Sequence, residues 1–366
     1  MLSLLIISCK NRKTSGDDSD VKVYLAQKEI LIDSLSKFED YHYYGRLEER
    51  EYLELMDSIY DLKIKFIDKN FKHLKREFVS MEKNTFKYQK LSNQALYEQS
   101  RQNLTNNLDF KVSTDYYTNL FKDIDLLDER LVTIPDYMNF VYSYFWRITK
   151  EQLNDNDSTD FYLTFLDIIE KETNNKKLLQ ALSYDIGRYR LSRTKELDKV
   201  YDKLKYFIKD TAYLNEIEPK YKTLKKIEKG AVSPSFSLND INGDLVSLKD
   251  LKGQIVFIDI WSTTCLPCMA EIPYLKKLQE EFKNDEIKFV SINVIDSIDT
   301  WRNAVKENQL GGILLHSSDN KNSFLTDYLL RGIPRFILLD KDGKIIDSSA
   351  KRPSDPKLKE QLKGLI

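Results

Sequence analysis

Glycine and proline are spread so unevenly along these 366 residues that they divide the chain before any other signal does. Residues 1–229 hold Gly16, Gly45 and Gly187 with Pro135 and Pro219, whereas the remaining 137 residues hold eight glycines and six prolines. A long stretch with almost no backbone punctuation, rich in Leu, Lys, Glu and Tyr, suits helices and does not suit a sheet with tight turns. Apolar residues three and four apart support this: Leu25, Ile30, Leu31, Leu35 and Phe38, then Leu53, Met56, Ile59, Tyr60 and Ile64. Breaks are expected at Ile134, pushed out of the helical region by Pro135, and at the polar run "NDNDSTD", residues 154–160. Residues 20–229 are therefore read as an all-α domain, an antiparallel helical array with no detectable repeat. The tyrosines of "YHYYG", residues 41–45, are taken as core and interface positions.

After "KKIEKG" the pattern changes. "PSFSLNDINGDLVSLKDLKGQIVFIDIW" alternates, turns at Asn242-Gly243-Asp244, and enters the apolar run Ile255 to Ile260, which reads as a buried strand. A helical spacing follows in "CMAEIPYLKKLQEEF", then a strand in "IKFVSINVI" and a helix in "TWRNAVKENQL". "FLTDYLLRGIPRFILLDKDGKII" adds a helix, a strand and a hairpin at Asp342-Gly343. This order predicts an α/β domain over residues 230–366, with a mixed central sheet flanked by helices, and hence a two-domain chain.

Lys and Arg number 57 against 58 Asp and Glu, a net charge of -1, so no nucleic-acid partner is expected. Runs such as "EERE" and "KYKTLKKIEK" mix both signs and read as solvated helix faces. Of the three cysteines, Cys9 ends "MLSLLIISC", an apolar run too short to span a bilayer and followed by polar residues. Ile6-Ile7-Ser8-Cys9 resembles a bacterial lipobox, which implies cleavage before Cys9 and its lipidation. No basic segment precedes the run, so such a leader is expected to begin further upstream. Residues 1–19 would then be a signal remnant and flexible tether.

The other two cysteines sit in "IDIWSTTCLPCMAEIP", residues 258–273. Cys265 and Cys268 could form a redox pair, half of a metal site, or two buried apolar side chains. A structural zinc site needs four ligands, and His42, His73 and His316 are scattered, so no metal is expected. A peroxide-reducing cysteine would need a preceding proline and hydroxyl; Ser262 fits the hydroxyl, but Ile258 stands in the proline's place.

Residues from about 232 to 366 resemble the thioredoxin-fold domain of the TlpA/ResA-like thiol-disulfide oxidoreductases, which are related to the redoxin and AhpC/TSA group. The resemblance rests on "PSFSL", the Gly243 hairpin, Trp261, Cys265-Leu266-Pro267-Cys268, Pro273 and "RGIPRFILLDKDGK". It implies a catalytic dithiol and no cofactor. A cysteine at the mouth of a helix after a buried strand meets unpaired N–H groups and the helix dipole, which favour a thiolate. That cysteine is Cys265, and Cys268 would resolve the mixed disulfide. Asp259 matches the buried aspartate that serves thioredoxins as proton acceptor, and Glu271 matches the glutamate that ResA-like proteins place near the pair. Trp261 resembles the tryptophan packed beside the motif, and Ile333-Pro334 the cis-proline segment that contacts substrate. Arg335 and Thr264 depart from the thioredoxin pattern, so substrate preference does not carry over.

The resemblance further implies an envelope enzyme facing the periplasm, anchored to the membrane through its lipid. Its partners would be envelope proteins with cysteines or disulfides, apocytochrome c among them, and an upstream thiol electron donor. The alternative is a lipoprotein whose helical domain binds a partner or ligand, with the thioredoxin-like domain secondary.

Overall fold

The computed structural model of the chain describes residues 18–153, 159–283, 286–317, 323–330 and 332–366. Cys9 and most of the residue 154–160 break lie outside the described residues. The chain divides into two compact units at Leu214/Asn215.

Among the described residues the first unit carries helices and no strand. These are α1 (Asp18–Glu39), α2 (Tyr41–Tyr44), α3 (Glu49–Asn70), α4 (Arg76–Thr105), α5 (Tyr116–Phe121), α6 (Pro135–Gln152), α7 (Phe161–Glu172), α8 (Lys176–Asp185), α9 (Leu197–Phe207) and α10 (Thr211–Lys226), the last crossing the division. Pro135 opens α6 at its first turn, with Ile134 extended before it (φ -96°, ψ 114°), because the ring disfavours helical geometry in the preceding residue. Asp160 caps α7 by accepting from Tyr162 and Leu163 N–H at 2.8 and 2.9 Å.

The inward stripe of α1 differs from the expected one. Leu25 and Ile30 are exposed (49% and 71%), whereas Leu35 is buried as expected with Leu31 and Phe38 packed against its cluster, and Tyr24 is buried in a second cluster with Ile67, Phe71 and Phe86. Tyr24 can turn inward because its hydroxyl donates to Glu82 at 2.7 Å, satisfying a polar group that burial would otherwise penalise. Lys63 is likewise buried between Ile59 and Ile67, its Nζ donating to Glu39 Oε1 at 2.6 Å and Gln89 Oε1 at 2.8 Å. Of the 41–45 tyrosines only Tyr44 is buried; Tyr41 and Tyr43 are exposed.

The second unit is built on β1 (Ser237–Asp240), β2 (Leu245–Ser247), β3 (Ile255–Trp261), β4 (Ile287–Asn293), β5 (Ile313–His316), β6 (Arg335–Leu339) and β7 (Ile345–Asp347). Among the described residues these form one mixed seven-stranded sheet in the order β2-β1-β5-β4-β3-β6-β7. β3 runs parallel to β4 and antiparallel to β6, and β4 runs parallel to β5. The parallel pairs need crossovers, supplied by α11 (Leu266–Glu281) and α12 (Ile298–Asn308); α13 (Ser323–Asp327) and α14 (Pro356–Lys363) complete the unit. This is the thioredoxin-like α/β arrangement expected. β5, a short apolar segment after Gly311-Gly312, is an addition to the expected strands.

Every residue of β3 is buried, as a central strand covered on both faces requires. Ile255 and Phe257 pack with Leu275 and Leu278 of α11, Phe336 and Leu338 of β6, and Leu358 and Leu362 of α14. Side chains two apart share a face, so Asp259 continues the row that faces α11.

Candidate active site

The strand-to-helix turn after β3 sets the site. Ser262 is fully buried, Cys265 is half-buried, and Cys268 is 3% exposed. Cys265 is the N-cap of α11, so helical geometry begins at Leu266, and Pro267 in the first turn loses no intrahelical bond there. The Cys265 carbonyl accepts from Cys268 and Met269 N–H at 2.9 and 3.0 Å. Cys268 N–H also points at Cys265 Sγ, 3.2 Å away, the place of a side-chain acceptor at a helix cap. The two sulfurs are joined in a disulfide with Cα atoms 5.2 Å apart. Between them Leu266 is 80% exposed, an uncharged rim. The half-buried sulfur with an N–H aimed at it is suited to become a thiolate, and the buried one is shielded from solvent.

Trp261 ends β3 and packs in one cluster with Cys268, Trp301, Ala304 and Leu314, against which Cys265, Met269 and Ile333 also lie. Pairing of Ile260 with Arg335 in the β3–β6 ladder, carried one residue further, sets Pro334 opposite Trp261. The Ile333–Pro334 peptide bond is cis. Four residues singled out from the sequence, Trp261, Cys265, Cys268 and Ile333, thus share one cluster, and Pro334 borders it.

The two carboxylates have different surroundings. Asp259 lies opposite Ser291 of β4 and Phe336 of β6. Burial pushes its carboxyl up to about 7; the Ser291 hydroxyl, donating to it, acts against the rise, and the charge of Glu271 adds to it. Glu271, also buried, is held from the C-terminal segment. Ser354 N–H donates to its Oε2 and Ser354 Oγ to its Oε1, both at 2.9 Å, and Arg352 lies 3.8 Å away. Glu271 is therefore occupied by fixed donors, whereas Asp259 is the carboxyl that burial lifts to about 7.

Ser291, Ser354 and Arg352 were not singled out from the sequence; Ser354 meets Glu271 across 83 positions, and no local pattern announces such a pair. His316 is buried, stacked on Trp301 at 5.1 Å, with Nε2 2.9 Å from the Asp296 carbonyl oxygen. Among the described residues no group of three or more His, Cys, Asp and Glu is arranged to hold a metal ion.

Residues 228–362 match the Redoxin family model. The chain is 30% identical over 142 residues to the thiol-disulfide oxidoreductase ResA of Bacillus cereus, covering 39% of this chain and 79% of that protein. It is also 30% identical over 131 residues to the thioredoxin-like protein YneN of Bacillus subtilis, 35% of this chain and 76% of the relative. Among solved structures, the thioredoxin domain of a Bacteroides vulgatus thiol-disulfide oxidoreductase matches with 28% identity and a TM-score of 0.35, covering 37% of this chain and 96% of that domain. A thiol:disulfide interchange protein from Bacteroides sp. matches with 30% identity and a TM-score of 0.35, covering 38% and 91%.

Proposed function

The chain belongs to the ResA-like thiol-disulfide oxidoreductases through its C-terminal domain, and on that premise we propose that Cys265 and Cys268 are its catalytic dithiol and reduce disulfides of envelope proteins. The observation that carries this reading is the pair's placement: one half-buried sulfur at the cap of α11 under the Cys268 N–H, and one buried sulfur a turn inside. Cys265 attacks the substrate disulfide as a thiolate, giving a mixed disulfide and releasing one substrate thiolate. Cys268, after passing its proton to Asp259, attacks Cys265 Sγ as a thiolate, displaces the second substrate sulfur as a thiolate and closes the Cys265–Cys268 bond. The partly buried Ile333-Pro334 segment is where the substrate chain would lie; Trp261, expected from the sequence to contact substrate, is 2% exposed and instead supports the motif from within the cluster. The enzyme ends oxidised, so each turnover needs an upstream thiol donor.

Reduction, not oxidation, is the direction supported by the motif's interior. Strongly oxidising catalysts, near about -120 mV, depend on strong stabilisation of the reduced thiolate. Leu266 and Pro267 bring no charge, and Pro267 no N–H. Equilibration with glutathione buffers is expected to give a midpoint below about -200 mV; a value close to the strongly oxidising end would make the protein an oxidant.

Envelope location and anchoring rest on the lipobox-like Ile6-Ile7-Ser8-Cys9. Among the described residues no helix is long and apolar enough to cross a membrane. With its native leader the protein is expected to partition into membranes and Cys9→Ser to remain in the soluble fraction. A lipid-free mature N-terminus by mass spectrometry would refute the anchor.

A further inference from the structure

The loop between β4 and α12 grips the turn that carries Cys265. Asp296, 31 positions after Cys265, accepts three hydrogen bonds on its carboxylate: from Thr263 N–H to Oδ2 at 2.8 Å, from Thr263 Oγ1 to Oδ1 at 2.8 Å, and from Asn293 Nδ2 to Oδ2 at 2.7 Å. Two residues earlier, Val294 N–H donates to the Trp261 carbonyl at 2.9 Å, so the same loop holds both ends of the Trp261–Thr263 segment. Between these contacts Ile295 has φ 79°, a left-handed conformation that is costly for a β-branched side chain and persists only where neighbours over-determine it. The Ile295 side chain is itself exposed, so its own packing does not explain the strain.

Resting on the dithiol reading above, we infer that Asp296 is a positioning residue for the nucleophile: by fixing Thr263 it sets the backbone of the turn and keeps Cys265 Sγ under the Cys268 N–H. Cys265 has φ -88° and ψ 92°, and its N–H donates at 3.3 Å to the carbonyl of Ser262, which lies between Trp261, held by Val294, and Thr263, held by Asp296, so the loop sets the segment from which Cys265 projects. Loosening the turn removes the N–H from the sulfur and with it the local preference for a thiolate. Of the ionisable groups, His316 touches this arrangement through the Asp296 carbonyl, and Asp259 and Glu271 lie on β3 and α11, the elements that the turn joins.

The test is the pH profile of alkylation of each cysteine in the reduced full-length protein, for the parent, Asp296→Ala, Asp296→Asn and Thr263→Val. Asn keeps an acceptor for Thr263 N–H and Asn293, and the Thr263 hydroxyl can turn to accept from its amide. Asp296→Ala is expected to raise the apparent pKa of Cys265 by about one unit and slow its alkylation at pH 7 about tenfold. Asp296→Asn is expected to stay within about twofold of the parent, and Thr263→Val, which loses one of the two Thr263 bonds, to fall between. A parent profile in Asp296→Ala, or an Asp296→Asn profile as displaced as that of the alanine variant, would overturn the inference. Should Asp296→Ala not fold, Thr263→Val decides, and a parent-like profile there refutes the proposal. In the parent, slower alkylation of Cys265 than Cys268 would instead refute the assignment of Cys265 as the attacking sulfur, on which the inference rests, so the two failures are distinguishable.

Discussion

Replacing Cys265 with serine is expected to lower disulfide-reductase turnover by at least about 10³-fold, as removal of a covalent nucleophile does in enzymes of this kind. Cys268→Ser should lose turnover to a similar extent, for a different reason: the first attack proceeds and the mixed disulfide is not resolved. The asymmetry follows from placement, since Cys265 is reachable and under an N–H donor while Cys268 is buried behind it. A rapid-mixing assay with a chromogenic disulfide separates them, with a stoichiometric burst in Cys268→Ser and none in Cys265→Ser. Bursts in both variants would remove the distinction between attacking and resolving sulfur.

Asp259→Asn is expected to slow resolution of the mixed disulfide about 10²-fold near pH 7, the size of a lost general base, while Glu271→Gln costs much less. Asp259 has its carboxyl pushed up to about 7 by burial, whereas Glu271 is held by Ser354 and Arg352. Were Glu271→Gln the slower variant, the proton would pass through Glu271. The same shift has a sign for stability. A buried carboxyl that keeps its proton up to about pH 7 gives the folded state more bound protons than the unfolded chain between about pH 4 and 7. Stability from this group is therefore complete below about pH 4, falls as pH rises through that window, and is lost above it. Three units at about 1.4 kcal/mol each make the loss on the order of 4 kcal/mol. Asp259→Asn has no such proton to release, so its stability should lack that fall and exceed the parent's at pH 8; parallel pH curves would show that Asp259 does not titrate in this range.

Local chemistry explains which parts of this site could be read from the sequence. The turn residues Cys265, Pro267 and Cys268 belong to one helix start, and the apolar run before them is a central strand in both the reading and the structure. Asp259 was conspicuous as a carboxyl within that run. The partners that separate Asp259 from Glu271 were not legible, because Ser291 sits on a neighbouring strand and Ser354 lies 83 positions from Glu271. Asp296 was hidden for the same reason, 33 positions from the Thr263 it holds. β5 was missed because four residues, Ile313–His316, are too few to show a period. In the helical domain the pattern predicted helices correctly but assigned Leu25 and Ile30 to the core, since apolar spacing alone could not show that Tyr24 and Lys63 would find buried polar partners.

The most direct test of the account is to mix reduced Cys268→Ala protein with a cystine-containing peptide and locate the adduct by mass spectrometry after blocking free thiols. The account predicts one peptide per protein, disulfide-bonded to Cys265, and released by added dithiol. No adduct on Cys265 under conditions in which the parent reduces the same peptide would contradict the assignment of the catalytic dithiol.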